Sequence, residues 1–297
     1  MFSRSSWLHL RVPFSFLLLP IFLFSLSLSP NFDGPRIIWV FLILHLLLYP
    51  ASNAYNSYFD RDEKSIGGLK NPPAVRRGLY FLALALDVVA IILSYVKINT
   101  SFAWMVLIYG LVSKAYSHPK IRLKKMAWTS WIVTGLVQGL FTFLMCYTGV
   151  NDFGFKVALR WDIVLPGFLT SLMLWANYPL TQVYQHEEDT KRGDHTLSAK
   201  LGILGTFYFA ASVFTFAMGG LLVYFKFNFG EKFAWAFMLA ILPILAYFFY
   251  WFFLILKDRK SADYSHTMRL SFISATCLNV FFVYLFLETT QILQVMQ

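Results

Sequence analysis

Apolar residues along this chain fall into nine long blocks, at 12–29, 37–58, 78–96, 102–117, 127–147, 162–184, 203–225, 233–256 and 269–289. Roughly 20 consecutive apolar residues are what a helix needs to cross the hydrocarbon of a bilayer. Backbone amides cannot stay unpaired in lipid, so runs of this length are expected to be helices rather than open strands. The short connections between blocks hold the turn residues and nearly all the charge. The pattern predicts an all-α polytopic membrane protein, nine transmembrane helices in a single domain over residues 1–297.

Composition agrees with the pattern. The 297 residues are 58% hydrophobic and 19% aromatic, and only 13% are charged; a soluble domain carries about 25% charged residues. Arg4 and Arg11 ahead of the first block resemble a leader peptide, but the block exceeds the ~7–15 residues of such a segment and no small-residue cleavage site follows. It is read as the first span. Cys146 and Cys277 lie inside apolar blocks with no paired spacing, so neither a disulfide nor a thiolate metal site is expected.

The net charge of +10 is explained by where the basic residues sit. Counting from an inside N-terminus, 19 of the 25 Lys and Arg fall in inside segments and 6 outside. This asymmetry places the N-terminus in the cytoplasm and, after nine spans, the C-terminus outside. It argues for anionic lipid as the partner of the positive charge and against nucleic acid, and no obligate protein partner is inferred. The expected location is a bacterial inner membrane.

Acidic residues contribute little to topology, yet seven of them gather in two inside segments: Asp60, Asp62 and Glu63, then Glu187, Glu188, Asp189 and Asp194. If the second helix persists, Asn53, Asn56, Asp60 and Lys64 share one face. Gln185 and Asp189 share a face if the sixth helix does the same. Each cluster alone reads equally as a solvated helix end at the headgroup level. Two such clusters, each with polar residues (Asn53, Asn56, Gln182) running back into the apolar block, favour a cavity. Carboxylates and amides with water at hand suit a hard divalent cation such as Mg2+, which commonly sits between a few carboxylates and substrate phosphates.

Between the clusters lies 116–125, where Tyr116, Lys120 and Arg122 are candidates for contacting a phosphate. Lys124 and Lys125 read as ordinary anchors to anionic lipid. Arg11 is a weaker phosphate candidate than Arg122. His45 reads as a packed histidine, and His186 and His195 as loop histidines. Asp87, inside the third span, is expected to pair with a neighbouring helix or to be protonated.

The order of these segments resembles the UbiA superfamily of intramembrane prenyltransferases. The resemblance rests on N-x-x-x-D closing the second span (Asn56, Asp60), Y-S-x-P-x-x-x-L-K after the fourth, and D-x-x-x-G-D-x-T-L after the sixth (Asp189, Gly193, Asp194, Thr196, Leu197). It covers nearly the whole chain. It implies two acidic motifs holding Mg2+ on an allylic isoprenoid diphosphate whose tail runs into a hydrophobic tunnel, and an acceptor, often aromatic, that captures the allylic cation. On that basis Asn56, Asp60 and Asp189 are expected to be catalytic. Tyr116, Lys120, Arg122, Lys64 and Asn53 are expected to contact the diphosphate, and Asp60, Asp62, Glu188, Asp189 and Asp194 to hold metal.

The sequence departs from the family pattern at two places, with Lys64 and Gln185 standing where aspartates are usual. Asp62 or Glu63, and Glu188 or Glu187, lie close enough to substitute, or Lys64 meets the diphosphate itself. Ser65 to Pro73, with Gly67 and Gly68, reads as a mobile lid. Two further readings stand beside the transferase. One is a membrane terpene cyclase, which discharges the cation internally. The other is a transporter or lipid-diphosphate binding protein without chemistry.

Overall fold

The computed structural model describes residues 3–290. Nine long helices account for the nine apolar blocks: α1 (Arg4–Ser27), α2 (Gly34–Asp60), α3 (Gly78–Lys97), α4 (Thr100–Ser117), α5 (Ala127–Asn151) and α6 (Trp161–Gln182), then α8 (Leu197–Phe229), α9 (Glu231–Lys257) and α10 (Tyr264–Thr290). A short helix, α7 (His186–Arg192), lies between α6 and α8. Eight of the nine are long and apolar enough to cross a membrane; α4, which carries Ser113 and Lys114 in its last turns, is not among them. No strand forms among the described residues, only the isolated bridges Ile66–Leu69 and Met126–His195. The C-terminal end, expected on the outer face, lies outside the described residues.

Helix ends follow local chemistry. The side chains of Asp33, Asn99 and Thr196 accept hydrogen bonds from Arg36 N, Phe102 N and Ala199 N, capping α2, α4 and α8. Helix α1 begins at Arg4, earlier than its apolar block, and breaks at Arg11, whose φ is 49°. Beyond the break its first turns are wound as a 3₁₀ helix over Val12–Leu18. Two helices carry π-wound segments, Ile43–Leu48 in α2 and Leu136–Phe141 in α5.

Helices neighbouring in sequence pack side by side: α2 on α3, α3 on α4, α5 on α6, α8 on α9 and α9 on α10. Helix α6 also packs on α8, and α1 joins the two ends of the array by packing on both α5 and α10. Lipid offers no hydrophobic drive for such contacts, so they depend on close fit and interhelical hydrogen bonds. Gly139 meets the backbone of Ser171, where a Cβ would stand 2.5 Å from its Cα. Ser171 Oγ accepts from Leu140 N at 2.8 Å, filling an amide that the π segment leaves available. Phe81, Val88, Ile92, Trp104, Leu239 and Phe253 remain exposed on the outer surface, as a lipid-facing belt requires.

Asp87 of α3 pairs with Lys114 of α4, and both are largely buried. The paired alternative for Asp87 therefore holds. Lys114 lies in the last turns of α4 and is committed to this pair.

Candidate active site

Three loops meet at the end of the bundle where α2, α4 and α6 finish. Asn53, Asn56 and Asp60 do share one face of α2. The helix stops at Asp60 because Arg61 enters the left-handed region, with φ of 50°. Lys64 therefore leaves that face, a correction to the single-face reading. Its ammonium binds Glu187 of α7, and its backbone N–H and that of Glu63 donate to Glu188 Oε1 at 2.8 and 3.2 Å.

Helix α6 likewise does not continue to Asp189. At Pro179 it tightens into a 3₁₀ turn over Tyr178–Gln182, the chain turns, and α7 starts anew at His186. Gly193, with φ of 70°, closes α7 in a conformation that disfavours side chains, and this brings Asp194 back beside Asp189. The Met126–His195 bridge, with His195 N donating to Lys125 O at 3.3 Å, ties the α4–α5 connection to the same place.

The acidic residues interlock with cations from these loops. Arg122 holds Asp194 in a two-pronged contact, Nε to Oδ1 and Nη2 to Oδ2, both at 2.7 Å. Its Nη2 also lies 3.6 Å from Asp60 Oδ1. Lys124 contacts the same Asp60 oxygen, and both side chains are dry, at 9% and 5% exposure. Arg192 binds Asp62, reaches Asp189 Oδ1 at 3.0 Å and lies 3.6 Å from Asp194 Oδ2. Burial pushes the Asp189 carboxyl up to about 6, with Arg192 pulling the other way. The paired contacts to Asp194 hold the Arg122 guanidinium above its usual range.

Below this network opens a chamber of about 330 Å³ between α1, α2, α4, α5 and α6. Its polar end is lined by Asn53, Asn56, Asp60, Asp62, Asp189 and Asp194, with Lys124, Arg192 and Arg11 among them. Asn56 Nδ2 donates to Ser117 Oγ at 2.9 Å. Tyr116 also lines the chamber, its hydroxyl against that of Tyr178. Arg11 sits at the rim, donating to Gly67 O at 2.9 Å and Asn53 O at 3.2 Å. A second cavity of about 160 Å³, lined almost wholly by hydrocarbon from α1, α6, α8, α9 and α10, shares Leu17, Leu174 and Asn177 with the first.

Several expected residues are placed elsewhere. Lys64, Glu188 and Lys120 do not line the chamber, and Lys120 is exposed on the loop after α4. Arg122 stands behind the carboxylates, engaged with Asp194. The stretch with Gly67 and Gly68 is a tight turn, Ile66 and Leu69 exchanging backbone hydrogen bonds at 2.9 and 2.8 Å. It is packed on Phe14, whose ring a Gly67 Cβ would meet at 2.7 Å. Sequence reading missed Lys124 and Arg192. Lys124 ends the Y-S-x-P-x-x-x-L-K stretch, but a loop lysine is equally well explained by membrane anchoring. Arg192 lies three residues after Asp189, a spacing that does signal a pair on one helix.

The residues present fit a hard divalent cation. Among the described residues, no three His, Cys, Asp or Glu side chains gather to hold a metal unaided. Mg2+, however, commonly uses one or two carboxylates and completes its shell with water and substrate phosphate. Asp189 Oδ2 is buried without a hydrogen-bond partner, the state of an oxygen that has a coordination position to offer, while Asp60 Oδ1 is held by Lys124. Around the chamber end, Arg11, Arg122, Lys124 and Arg192 balance Asp60, Asp62, Asp189 and Asp194. That end therefore carries no surplus positive charge.

An all-helical membrane bundle with a charge-balanced polar chamber at one end and an apolar cavity leading from it defines an integral membrane protein with an intramembrane site. The chain belongs to the UbiA prenyltransferase family, whose model matches residues 17–274. At that level it is a membrane prenyltransferase. A UbiA homologue from Archaeoglobus fulgidus bound to GPP and Mg2+ superposes with a TM-score of 0.68 at 16% identity, covering 95% of this chain and 99% of that one. The same homologue bound to DMAPP and Mg2+ gives 0.68 at 15% identity over the same shares. A digeranylgeranylglyceryl phosphate synthase gives 0.59 at 18% identity, covering 97% of this chain and 99% of that one. No curated protein matches the sequence.

Proposed function

We propose that the chain, acting as one domain, transfers an isoprenoid group from an allylic prenyl diphosphate to an acceptor, with the chemistry at the Asp60–Asp189 end of the chamber. One observation carries the reading. Carboxylates from two separate helical segments, Asp60 held by Lys124 and Asp189 with an unpartnered Oδ2, line one chamber, and an apolar cavity shares part of its lining. The diphosphate head belongs among Asn53, Asn56, Tyr116, Lys124 and Arg192, and the isoprenoid tail in the apolar cavity. Asp60 and Asp189 would hold Mg2+. When bound, it supplies positive charge against the departing diphosphate.

The bond from C1 of the prenyl chain to the diphosphate oxygen breaks, and the diphosphate leaves with the electron pair. Lys124 and Arg192 donate to the leaving oxygens, where charge grows in the transition state. The rings of Tyr116 and Tyr178 line the space in which the allylic cation forms and shield it from water. The acceptor then bonds to C1 and gives up a proton. The asymmetry of the basic residues supports a cytoplasmic side for this mouth and the N-terminus.

The test uses purified protein in lipid nanodiscs with Mg2+ and farnesyl or geranylgeranyl diphosphate, following diphosphate release with and without a cell extract as acceptor source. Release that depends on extract supports transfer. Release with a cyclised hydrocarbon and no acceptor means a cyclase. The proposal is lost if no chain length and no extract gives release, while Asp60→Ala and Asp189→Ala bind diphosphate as well as the wild type.

A further inference from the structure

The loop that follows α2 and the short helix α7 are joined by contacts that cross directly from one acidic cluster to the other. The chain turns at Arg61, and the amides of Glu63 and Lys64 donate to Glu188 Oε1 at 3.2 and 2.8 Å. Lys64 Nζ binds Glu187, which also accepts from Lys191 Nζ at 2.7 Å. Gln185 Nε2 reaches Ser65 O at 3.5 Å, and Arg192 binds Asp62 from the α7 side. Lys64 and Gln185, the two places where the sequence departs from the family pattern, thus both serve this junction.

The contacts are unequal. Lys64 and Glu187 are 58% and 60% exposed, and an ion pair so well solvated holds little by itself. Hydrogen bonds from backbone amides to a carboxylate are charge-assisted and stronger. The Arg192–Asp62 pair is shielded, its carboxylate 5% exposed. Together these contacts set a cation or an N–H among carboxylates that would otherwise face one another, Asp60, Asp62 and Glu63 across from Glu187, Glu188 and Asp189. Two such groups repel at close range unless positive charge lies between them. In this chain the protein supplies that charge. The network also commits oxygens: Asp62 to Arg192, Asp194 to Arg122 and Arg192, and Asp60 Oδ1 to Lys124. Asp189 Oδ2 is the one buried carboxylate oxygen lining the chamber with neither a hydrogen bond nor an ion pair among the described residues.

We propose that Lys64, Gln185 and Glu188 are positioning residues that clasp the two acidic segments together before any metal arrives, and that the clasp leaves room for one divalent ion per chain. The ion and the diphosphate rest on the transferase reading; the contacts do not. The test follows hydrogen exchange over residues 61–66 in the full chain in nanodiscs, without metal and with Mn2+ plus farnesyl thiodiphosphate, which ionises slowly. Mn2+ favours the same oxygen donors as Mg2+, and its bound count is read by electron paramagnetic resonance. In the wild type, exchange should differ by less than about twofold between the two states, with one Mn2+ bound. Lys64→Asp/Gln185→Asp replaces the two crossing donors by carboxylates and should speed metal-free exchange about tenfold, while Mn2+ with thiodiphosphate returns it to within about twofold of wild type. A purely structural defect would not be restored in this way. Lys120→Asp adds an acid to a loop away from the junction and should exchange as the wild type does.

The inference is overturned if the wild-type segment is protected only with metal, or if the wild type binds two Mn2+. It is equally overturned if the double variant is as protected as wild type without metal, if metal and thiodiphosphate do not restore it, or if Lys120→Asp loses protection to the same extent. A wild type that binds neither Mn2+ nor thiodiphosphate would remove the transferase reading instead, and the metal-free comparison of wild type with the double variant would still decide the clasp.

Discussion

Asp60 is the residue where stability and chemistry separate most clearly. In Asp60→Asn the side chain keeps its shape and loses its charge, so Lys124 is left 9% exposed beside a neutral amide. Two unit charges about 4 Å apart attract by roughly 4 kcal/mol at an effective dielectric of 20, and by about 1 kcal/mol in water. The chamber brings this pair between those limits, and Arg122, 3.6 Å from the same oxygen, is relieved of one of its two partners without being stranded. The expected cost is about 1–3 kcal/mol, read as a fall of several degrees in thermal unfolding in detergent. The double variant Asp60→Asn/Lys124→Met removes both charges and should recover most of that loss, because no buried charge is then unpaired.

Activity should behave differently. Diphosphate release with Mg2+ is expected to fall about 10²–10³-fold in Asp60→Asn, the scale of losing one preorganised group that acts on developing charge. The double variant should be no better. Release within tenfold of wild type, with an unchanged Mg2+ half-saturation, would refute the role given to Asp60. A double variant as unstable as Asp60→Asn would refute the electrostatic account of the network.

Three other outcomes follow from the packing and the charges. Asp87→Leu or Lys114→Leu alone strands a buried charge and is expected to cost about 3–5 kcal/mol, whereas the double Leu variant should unfold close to wild type and keep its activity; a thermal double-mutant cycle in detergent reads the coupling. His186 has its pKa lowered by burial, with its Nε2 2.7 Å from Ser198 Oγ. Its folded pKa lies below the unfolded one, so its contribution to stability is present above about pH 6.5 and is lost as pH falls through the folded value. His186→Asn should flatten that acid-side slope in unfolding midpoints taken from pH 5 to 7.5. Gly139→Ala places a Cβ 2.5 Å from Ser171 Cα and should destabilise the α5–α6 contact by about 1–3 kcal/mol, seen as an earlier unfolding midpoint.

The number and order of helices were legible in the sequence because lipid leaves an apolar run one way to satisfy its backbone. Asn53, Asn56 and Asp60 were legible as one face for the same local reason, since helical periodicity acts within a few turns. The convergence of the Asp60 and Asp189 segments on one end of the bundle was legible from the even number of helices between them. What ended each helix was not legible. Arg61 and Gly193 take left-handed backbone conformations, and Pro179 tightens the end of α6. These breaks remove Lys64 from the face of Asp60 and place Asp189 on a helix of its own.

Partner choice among the charges belonged to the tertiary structure alone. Lys124 and Lys120 are both loop lysines four residues apart, yet one is buried on Asp60 and the other is exposed. Composition cannot distinguish them, because the difference depends on which loops from distant helices are folded over them.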